Sequence, residues 1–213
     1  MIDNTKIIER LIPGVNRRYG EGSAVLRQHL LRYRLAAAYI RRDDRVMDVA
    51  CGSGYGSFLL AGAGACVTGI DRSDEAIEYA SSTYHDERIT WVCSPLEQYE
   101  APCGVFDRVV CFETLEHLDD PKAALRSFTH ALKRSGLLIC SVPIIPSKQF
   151  DPFHLHDFSE QSFLCLLDAC GYTVLDKLFQ EGTFLTVVAA QDATPDLEPP
   201  EVSPGLGLRG VQA

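Results

Sequence analysis

The chain has 213 residues, of which 46% are hydrophobic, and a formal net charge of −9. That length suits one α/β domain with a substantial core, and no run of about 18 apolar residues is present to make a membrane span. Residues 1–42 hold nine Lys/Arg against three Asp/Glu, and the remainder eleven against twenty-six; an acidic body of this kind disfavours nonspecific nucleic-acid binding.

The start, "MIDNTKIIERLIPG", lacks the basic head and apolar core of a signal peptide, so a cytoplasmic protein is expected. The segment "SAVLRQHLLRYRLAAAYI" (23–40) has the period of an amphipathic helix, with its arginines read as the solvated face. From residue 45, short β-rich runs alternate with helical ones. Strands are expected at 45–50, 66–71, 88–93, 106–112 and 137–143. Helices are expected at 55–64, at 73–84 behind Ser73 as N-cap, and at 120–136 with Pro121 near its start and Gly136 after it. Residues 144–158 have no periodicity and read as a long loop, a type that often carries function. A helix at 159–171 and two closing strands at 172–180 and 183–191 follow. The run 192–213 is rich in Pro and Gly and reads as a disordered tail.

This order predicts an α/β, Rossmann-like, seven-stranded and mostly parallel sheet, with helices on both faces and the last strand antiparallel. Three parts follow: a helical lid or substrate segment (1–44), a core (45–191) and the tail (192–213). Eight cysteines with no Cys-x-x-Cys pair argue against a zinc knuckle. Those in or beside apolar segments, Cys66, Cys93, Cys111, Cys140, Cys165 and Cys170, read as buried free thiols.

Ligands in such sheets bind at the carboxyl ends of the strands. At the end of the first strand, "DVACGSGYG" (48–56) spaces Gly52, Gly54 and Gly56 as G-x-G-x-G and opens a helix. Glycine lets a ligand approach the backbone, and helix amides welcome an anionic or polar group. Asp48 sits where an unpaired carboxylate is costly. Asp71 ends the second strand, placed to accept ribose hydroxyls. A dinucleotide fingerprint needs a third glycine where Ser57 stands, which disfavours a nicotinamide-dependent oxidoreductase.

The stretches "VMDVACGSGYGS", "VTGIDRSDEAIEYA", "FDRVVCFETLEHLDDP" and "LKRSGLLICSVP" together resemble class I S-adenosylmethionine (SAM)-dependent methyltransferases over roughly residues 30–190. The closer likeness is to methyltransferases of glycan and secondary-metabolite biosynthesis, carried by "HLLRYRLAAAYI", the Ala50-Cys51-Gly52 form of the loop and "DPFHLHDFS". The resemblance implies SAM as cofactor. It implies that Asp48 orients the loop, that Ala50, Cys51, Gly52 and Gly54 meet the methionine part, and that Asp71 binds the ribose. Arg72 and Leu96 would flank the adenine, and Phe112 would line the methionine part. Pro95 falls where the family often has a polar residue.

The turn "ETLEH" (113–117) ends the fourth strand. If helical, it puts Glu113, Glu116 and His117 on one face, where two carboxylates need a cation, a proton or hydrogen bonds. Two carboxylate oxygens and an imidazole suit Mg²⁺ or Mn²⁺. The pattern is similar to the Glu-x-x-Glu-His of ubiquinone-type O-methyltransferases and of small-RNA 3′-terminal 2′-O-methyltransferases; in the latter a later histidine, here His154, joins the metal. Three roles stay open at this point: metal ligands (Glu113, Glu116, His117, His154), a catalytic base (His117 or His154, with Glu113), or a structural turn. His156 is interchangeable with His154 by sequence, and Tyr19, Tyr33 and Phe153 are further substrate-contact candidates. His29, His85 and His130 read as surface or packing residues. The function expected is methyl transfer to a hydroxyl of a sugar, glycoside or related small molecule by a monomer or homodimer that binds no membrane. RNA 3′-end methylation, amine N-methylation and a SAM-binding scaffold are the alternatives.

Overall fold

The computed structural model describes residues 24–191. Tyr19, the first part of the lid segment and the tail 192–213 lie outside the described residues. Helix α1 is Ala24–Ala38, followed by β1 (Arg45–Val49), α2 (Tyr55–Gly62), β2 (Cys66–Asp71), α3 (Asp74–Thr83) and β3 (Ile89–Cys93). Then come β4 (Phe106–Phe112), α4 (Pro121–Ala131), β5 (Leu132–Pro143), α5 (Glu160–Asp168), β6 (Tyr172–Gln180) and β7 (Phe184–Gln191). The seven strands form one sheet in the order β3-β2-β1-β4-β5-β7-β6, with β7 antiparallel to both of its neighbours and the other pairs parallel. This is the expected Rossmann-like sheet. No helix among the described residues is long and apolar enough to cross a membrane.

Two apolar layers hold the sheet. On one face Ala36 of α1 and Leu60 and Ala61 of α2 pack on Val46, Val67, Val110 and Ile139. On the other, Leu125 and Phe128 of α4 and Phe163 and Leu167 of α5 pack on Met47, Val109, Leu138 and Val187. Strands buried on both faces explain their near-continuous apolar runs. Side-chain caps set the helix starts: Ser73 accepts from Ala76 N, Asp120 from Ala123 N, and Ser159 from Ser162 N in a capping box.

Three sequence expectations need correction here. The helix expected at 120–136 stops at Ala131, because Leu132 turns extended and pairs with Phe106 at the foot of β4. Lys133 then serves the sheet rather than a helix end, and its Nζ reaches both Asp107 carboxylate oxygens at 2.7 and 2.8 Å. The cysteines are all free but not all buried: Cys66, Cys93 and Cys165 are exposed, while Cys111 and Cys140 lie in the core and Cys170 is partly exposed. Cys66 opens β2, and β3, which Cys93 closes, is an edge strand covered on one flank only. The arginines of α1 do not all face solvent, since Arg32 is 0% exposed.

Register fixes the working edge. Val49 of β1 lies level with Ile70 of β2 and Cys111 of β4, and Cys111 with Cys140 of β5. The residues that follow, Ala50, Asp71, Phe112 and Ser141, therefore share one rim, next to the crossover between β1 and β4 where the chain changes direction across the sheet. Phe128 anchors α4 to this sheet with no exposed surface. Phe128→Ala is expected to cost about 3–5 kcal/mol of folding stability, measured as a shift in the denaturant midpoint at unchanged slope.

Candidate active site

The glycine loop is held from below by one carboxylate. Asp48 is fully buried at the end of β1 and accepts from Ser57 Oγ at 2.6 Å and from Tyr33 Oη at 3.1 Å. Burial, only partly offset by those two donors, raises its pKa to about 7. Tyr33 is thus no substrate contact. Its ring is buried edge-on against Tyr55 and Phe112 and presses on Gly56, where a Cβ would fall 2.0 Å from the ring. Ser57, the residue that departs from the dinucleotide pattern, is Asp48's closest donor.

The other two glycines have separate tasks. Gly54 is left-handed at φ 83°, and a Cβ there would meet Ala80 and the Trp91 indole at 2.6 Å. Gly52 is also left-handed, yet a Cβ on it would meet nothing within 4 Å. Its backbone faces open space, the cradle a donor molecule needs. Ala50 takes a left-handed φ of 54° without being glycine, at a cost of about 1–2 kcal/mol. Asp71 closes the loop from β2 by accepting from Gly52 N at 2.9 Å and Ser73 N at 3.0 Å. Arg72 beside it is exposed, and Leu96 opens a 3₁₀ turn, half-buried against the core. Phe112 lies in the core wall under this rim.

Glu113 departs from the sequence expectation. The turn after β4 is a 3₁₀ turn over Leu115–His117, and Glu113 precedes it with a left-handed φ of 49°. The shared α-helical face is therefore not formed. Glu113 accepts from Ser141 Oγ at 2.6 Å and lies 3.7 Å from Arg32 Nη2. Burial still raises its pKa, against the opposing pull of Arg32 and Ser141. Arg32 also lies over the Phe184 ring at 4.5 Å, and none of its guanidinium nitrogens has a hydrogen-bond partner among the described residues. Sequence reading passed over Arg32, because its partners come from β4 and β7. Burial, and after it the Arg32 charge, lowers the pKa of neighbouring His29 to about 3.

The remaining three groups do come together. One ligand atom each from Glu116, His117 and His154 lie within 4.8 Å of one another. The two imidazoles meet edge to face at 4.6 Å between centroids. His117 Nδ1 lies 3.1 Å from the Phe153 carbonyl, which only accepts, so Nδ1 carries the proton and Nε2 keeps its lone pair. Glu116 is 0% exposed, and neither carboxylate oxygen has a hydrogen-bond partner among the described residues. Burial first, then the Glu113 charge, holds its pKa well above the carboxylate range. A carboxyl group with no hydrogen-bond partner among the described residues, beside two imidazoles, fits a divalent cation such as Mg²⁺ or Mn²⁺, which would reverse that shift.

The 144–158 loop, irregular as expected, is tied to this turn by main chain. Leu155 N and His156 N donate to the Glu116 carbonyl at 2.7 and 3.1 Å. His156 does not exchange with His154: its Nε2 donates to the Leu118 carbonyl at 2.8 Å and pins the loop. Phe153, 55% exposed, flanks the cluster. His85 and His130 are on the surface.

Residues 47–140 match the methyltransferase domain family. A probable S-adenosylmethionine-dependent methyltransferase of Mycobacterium tuberculosis is 31% identical over 153 residues, 68% of this chain and 54% of that protein. The ubiquinone biosynthesis O-methyltransferase of Vibrio campbellii is 37% identical over 95 residues, 43% of this chain and 40% of that one. The crystal structure of an S-adenosylmethionine-dependent methyltransferase from Mesorhizobium loti is similar with a TM-score of 0.65 at 18% identity, covering 74% of this chain and 97% of that one. That last likeness concerns the fold alone. The chain spans about half the length of the curated Mycobacterium tuberculosis relative.

Two outcomes follow from the carboxylates. Asp48 keeps its proton up to about pH 7 in the folded state and only to about pH 4 unfolded. Its contribution to stability is full below pH 4 and is lost as pH rises through 7. Asp48→Asn should reduce that decline, measured by denaturant titration across the window. Glu116→Gln in metal-free protein should gain about 1–3 kcal/mol at pH 8 and little at pH 4, because it removes a buried, unpartnered ionisable group.

Proposed function

We propose that this chain, which belongs to the class I S-adenosylmethionine-dependent methyltransferases, transfers a methyl group to a hydroxyl of a small molecule with the help of a divalent cation. The observation that carries the reading is Glu116, a fully buried carboxylate with both oxygens unpartnered, set between His117 and His154 at the rim that the glycine loop shares. A protein retains so costly a group where a ligand satisfies it.

Bound SAM supplies an electrophilic sulfonium methyl, and a bound divalent cation supplies a Lewis acid that lowers the pKa of a hydroxyl. Asp71 offers carboxylate oxygens to the ribose hydroxyls while it holds Gly52. The open backbone at Gly52, with Ala50 and Cys51, receives the methionine part, and Asp48 keeps that loop fixed from behind through Ser57. Arg32, buried and without hydrogen-bond partners, suits the methionine carboxylate. Glu116, His117 and His154 hold the cation. The chain's main contribution is alignment of acceptor oxygen and methyl carbon. Because both Nε2 lone pairs would be given to the cation, the proton of the acidified hydroxyl would pass to water.

A second reading keeps the same cofactor and omits the metal. His117 Nε2, left with a free lone pair by the Nδ1 contact to Phe153, then acts as the base by itself. A hydroxyl acceptor is preferred over an amine in both readings, because a neutral amine attacks without prior deprotonation. The sugar or glycoside identity of the acceptor rests on the sequence resemblance alone, and the acidic body speaks against RNA.

Calorimetric titration should give SAM binding and no NAD binding; the reverse result would sink the proposal. With a methylatable acceptor in hand, EDTA should abolish turnover and Mg²⁺ or Mn²⁺ restore it, and Glu116→Gln should lower kcat by at least about 10²-fold while SAM still binds. Full turnover in EDTA would select the metal-free reading.

A further inference from the structure

Both imidazoles of the cluster are gripped by the same atom and from the same loop. His117 is held through Nδ1 by the Phe153 carbonyl. His154 is held through Nδ1 by Ser147 Oγ at 2.6 Å. Ser147 is itself fixed. Its backbone N–H and that of Lys148 donate to Asp157 Oδ1 at 2.7 and 3.0 Å, and its hydroxyl lies 3.4 Å from the same oxygen. The Ser147 carbonyl accepts from Phe150 N and Asp151 N, and Asp151 Oδ1 accepts from Phe153 N. The segment 147–157 thus folds back on itself around the His154 ring, with a carboxylate at its base.

We propose that Ser147 and Asp157 are positioning residues that hold the His154 ring by Nδ1 and so present its Nε2 to Glu116 and His117. The hydroxyl faces a carboxylate on one side and an imidazole on the other. A carboxylate only accepts, and we assign the serine hydroxyl as pointing to Asp157 Oδ1 at 3.4 Å while its oxygen accepts from Nδ1–H at 2.6 Å. On the opposite side of the ring, Asp151 Oδ2 lies 3.5 Å from Nε2, beyond the usual N–H···O distance. With that assignment Nε2 keeps its lone pair, as His117 Nε2 does. Outer partners of this kind fix ring orientation and typically change metal affinity by about 10–100-fold when removed. Neither residue touches the cation site or the donor loop, so both act through His154. The inference rests on reading the Glu116–His117–His154 cluster as the cation site.

The test uses the full chain and two measurements. Mn²⁺ titration followed by electron paramagnetic resonance should show Ser147→Ala and Asp157→Asn weakened by about 10–100-fold, Ser147→Thr close to wild type, and SAM affinity unchanged in all three. A purely structural role would not be rescued by the threonine hydroxyl while sparing the donor site. Long-range ¹H–¹⁵N spectra of the metal-free protein should show His154 protonated at Nδ1 in wild type and redistributed in Ser147→Ala. Wild-type Mn²⁺ affinity in Ser147→Ala, or a His154 protonated at Nε2 in wild type, would overturn the proposal. If wild type takes up no Mn²⁺, the cation reading falls on its own. The imidazole spectra then decide: redistribution in Ser147→Ala supports the positioning role, and identical spectra refute it.

Discussion

A carboxylate sealed from water at the end of a strand has to be satisfied by its neighbours, and Asp48 sets the geometry of the donor site on that condition. It needs two hydroxyls, from Tyr33 on α1 and Ser57 on α2. Meeting that need places α1 across the sheet, seats the Tyr33 ring on Gly56 and fixes the start of α2. The loop between Asp48 and Ser57 is then stretched over a determined path. Gly52 is left as the point where its backbone is bare, and Asp71 holds that point from the next strand. Open space above Gly52 is a by-product of satisfying the acid beneath it.

Three other acids show what happens when satisfaction is supplied, borrowed or withheld. Asp157 is supplied by two backbone amides, which depress its pKa. Glu113 borrows from Ser141 and from an arginine on α1. Glu116 has no donor to either oxygen and its pKa is driven up. The first two arrangements are those of an ordinary folded protein, Asp157 at its surface and Glu113 in its interior. The third is unstable by comparison, and it stands at the rim where chemistry is expected. A cation is the simplest group that would turn this liability into a stabilising contact, since it would serve Glu116 and both imidazole lone pairs at once.

The strand positions were readable because β-branched and aromatic runs, bounded by glycine, proline and acid, mark strands that are buried on both faces. The cap at Ser73 was readable from its residue type just ahead of a helical run. What escaped the sequence depends on partners far along the chain. Nothing near Arg32 announces burial; its charge is met by Glu113 and Phe184. Nothing in "KRSG" distinguishes a helix end from a strand start, and pairing of Leu132 with Phe106 decides it. The helical face expected of Glu113, Glu116 and His117 failed on a backbone angle, since a left-handed glutamate has no signature in composition. Ser147 offered no signal at all, being one serine in an irregular loop. His154 and His156 were indistinguishable by type, and only the carbonyl of Leu118 separates them.

The two functions of Glu116 argue that its bare side chain is no accident of packing. Its main-chain carbonyl takes two hydrogen bonds from the 144–158 loop, at Leu155 and His156. The same residue therefore docks the loop that carries His154. A residue so thoroughly used by its backbone sits in a well-determined environment, where a serine or an amide could have been placed against the carboxylate, as Ser141 is against Glu113. The loop instead spends its donors elsewhere: Ser147 and Lys148 on Asp157, Phe153 on Asp151, Leu155 and His156 on the carbonyl. Those loop amides are committed away from the Glu116 oxygens, and each imidazole has its Nδ1 toward the loop.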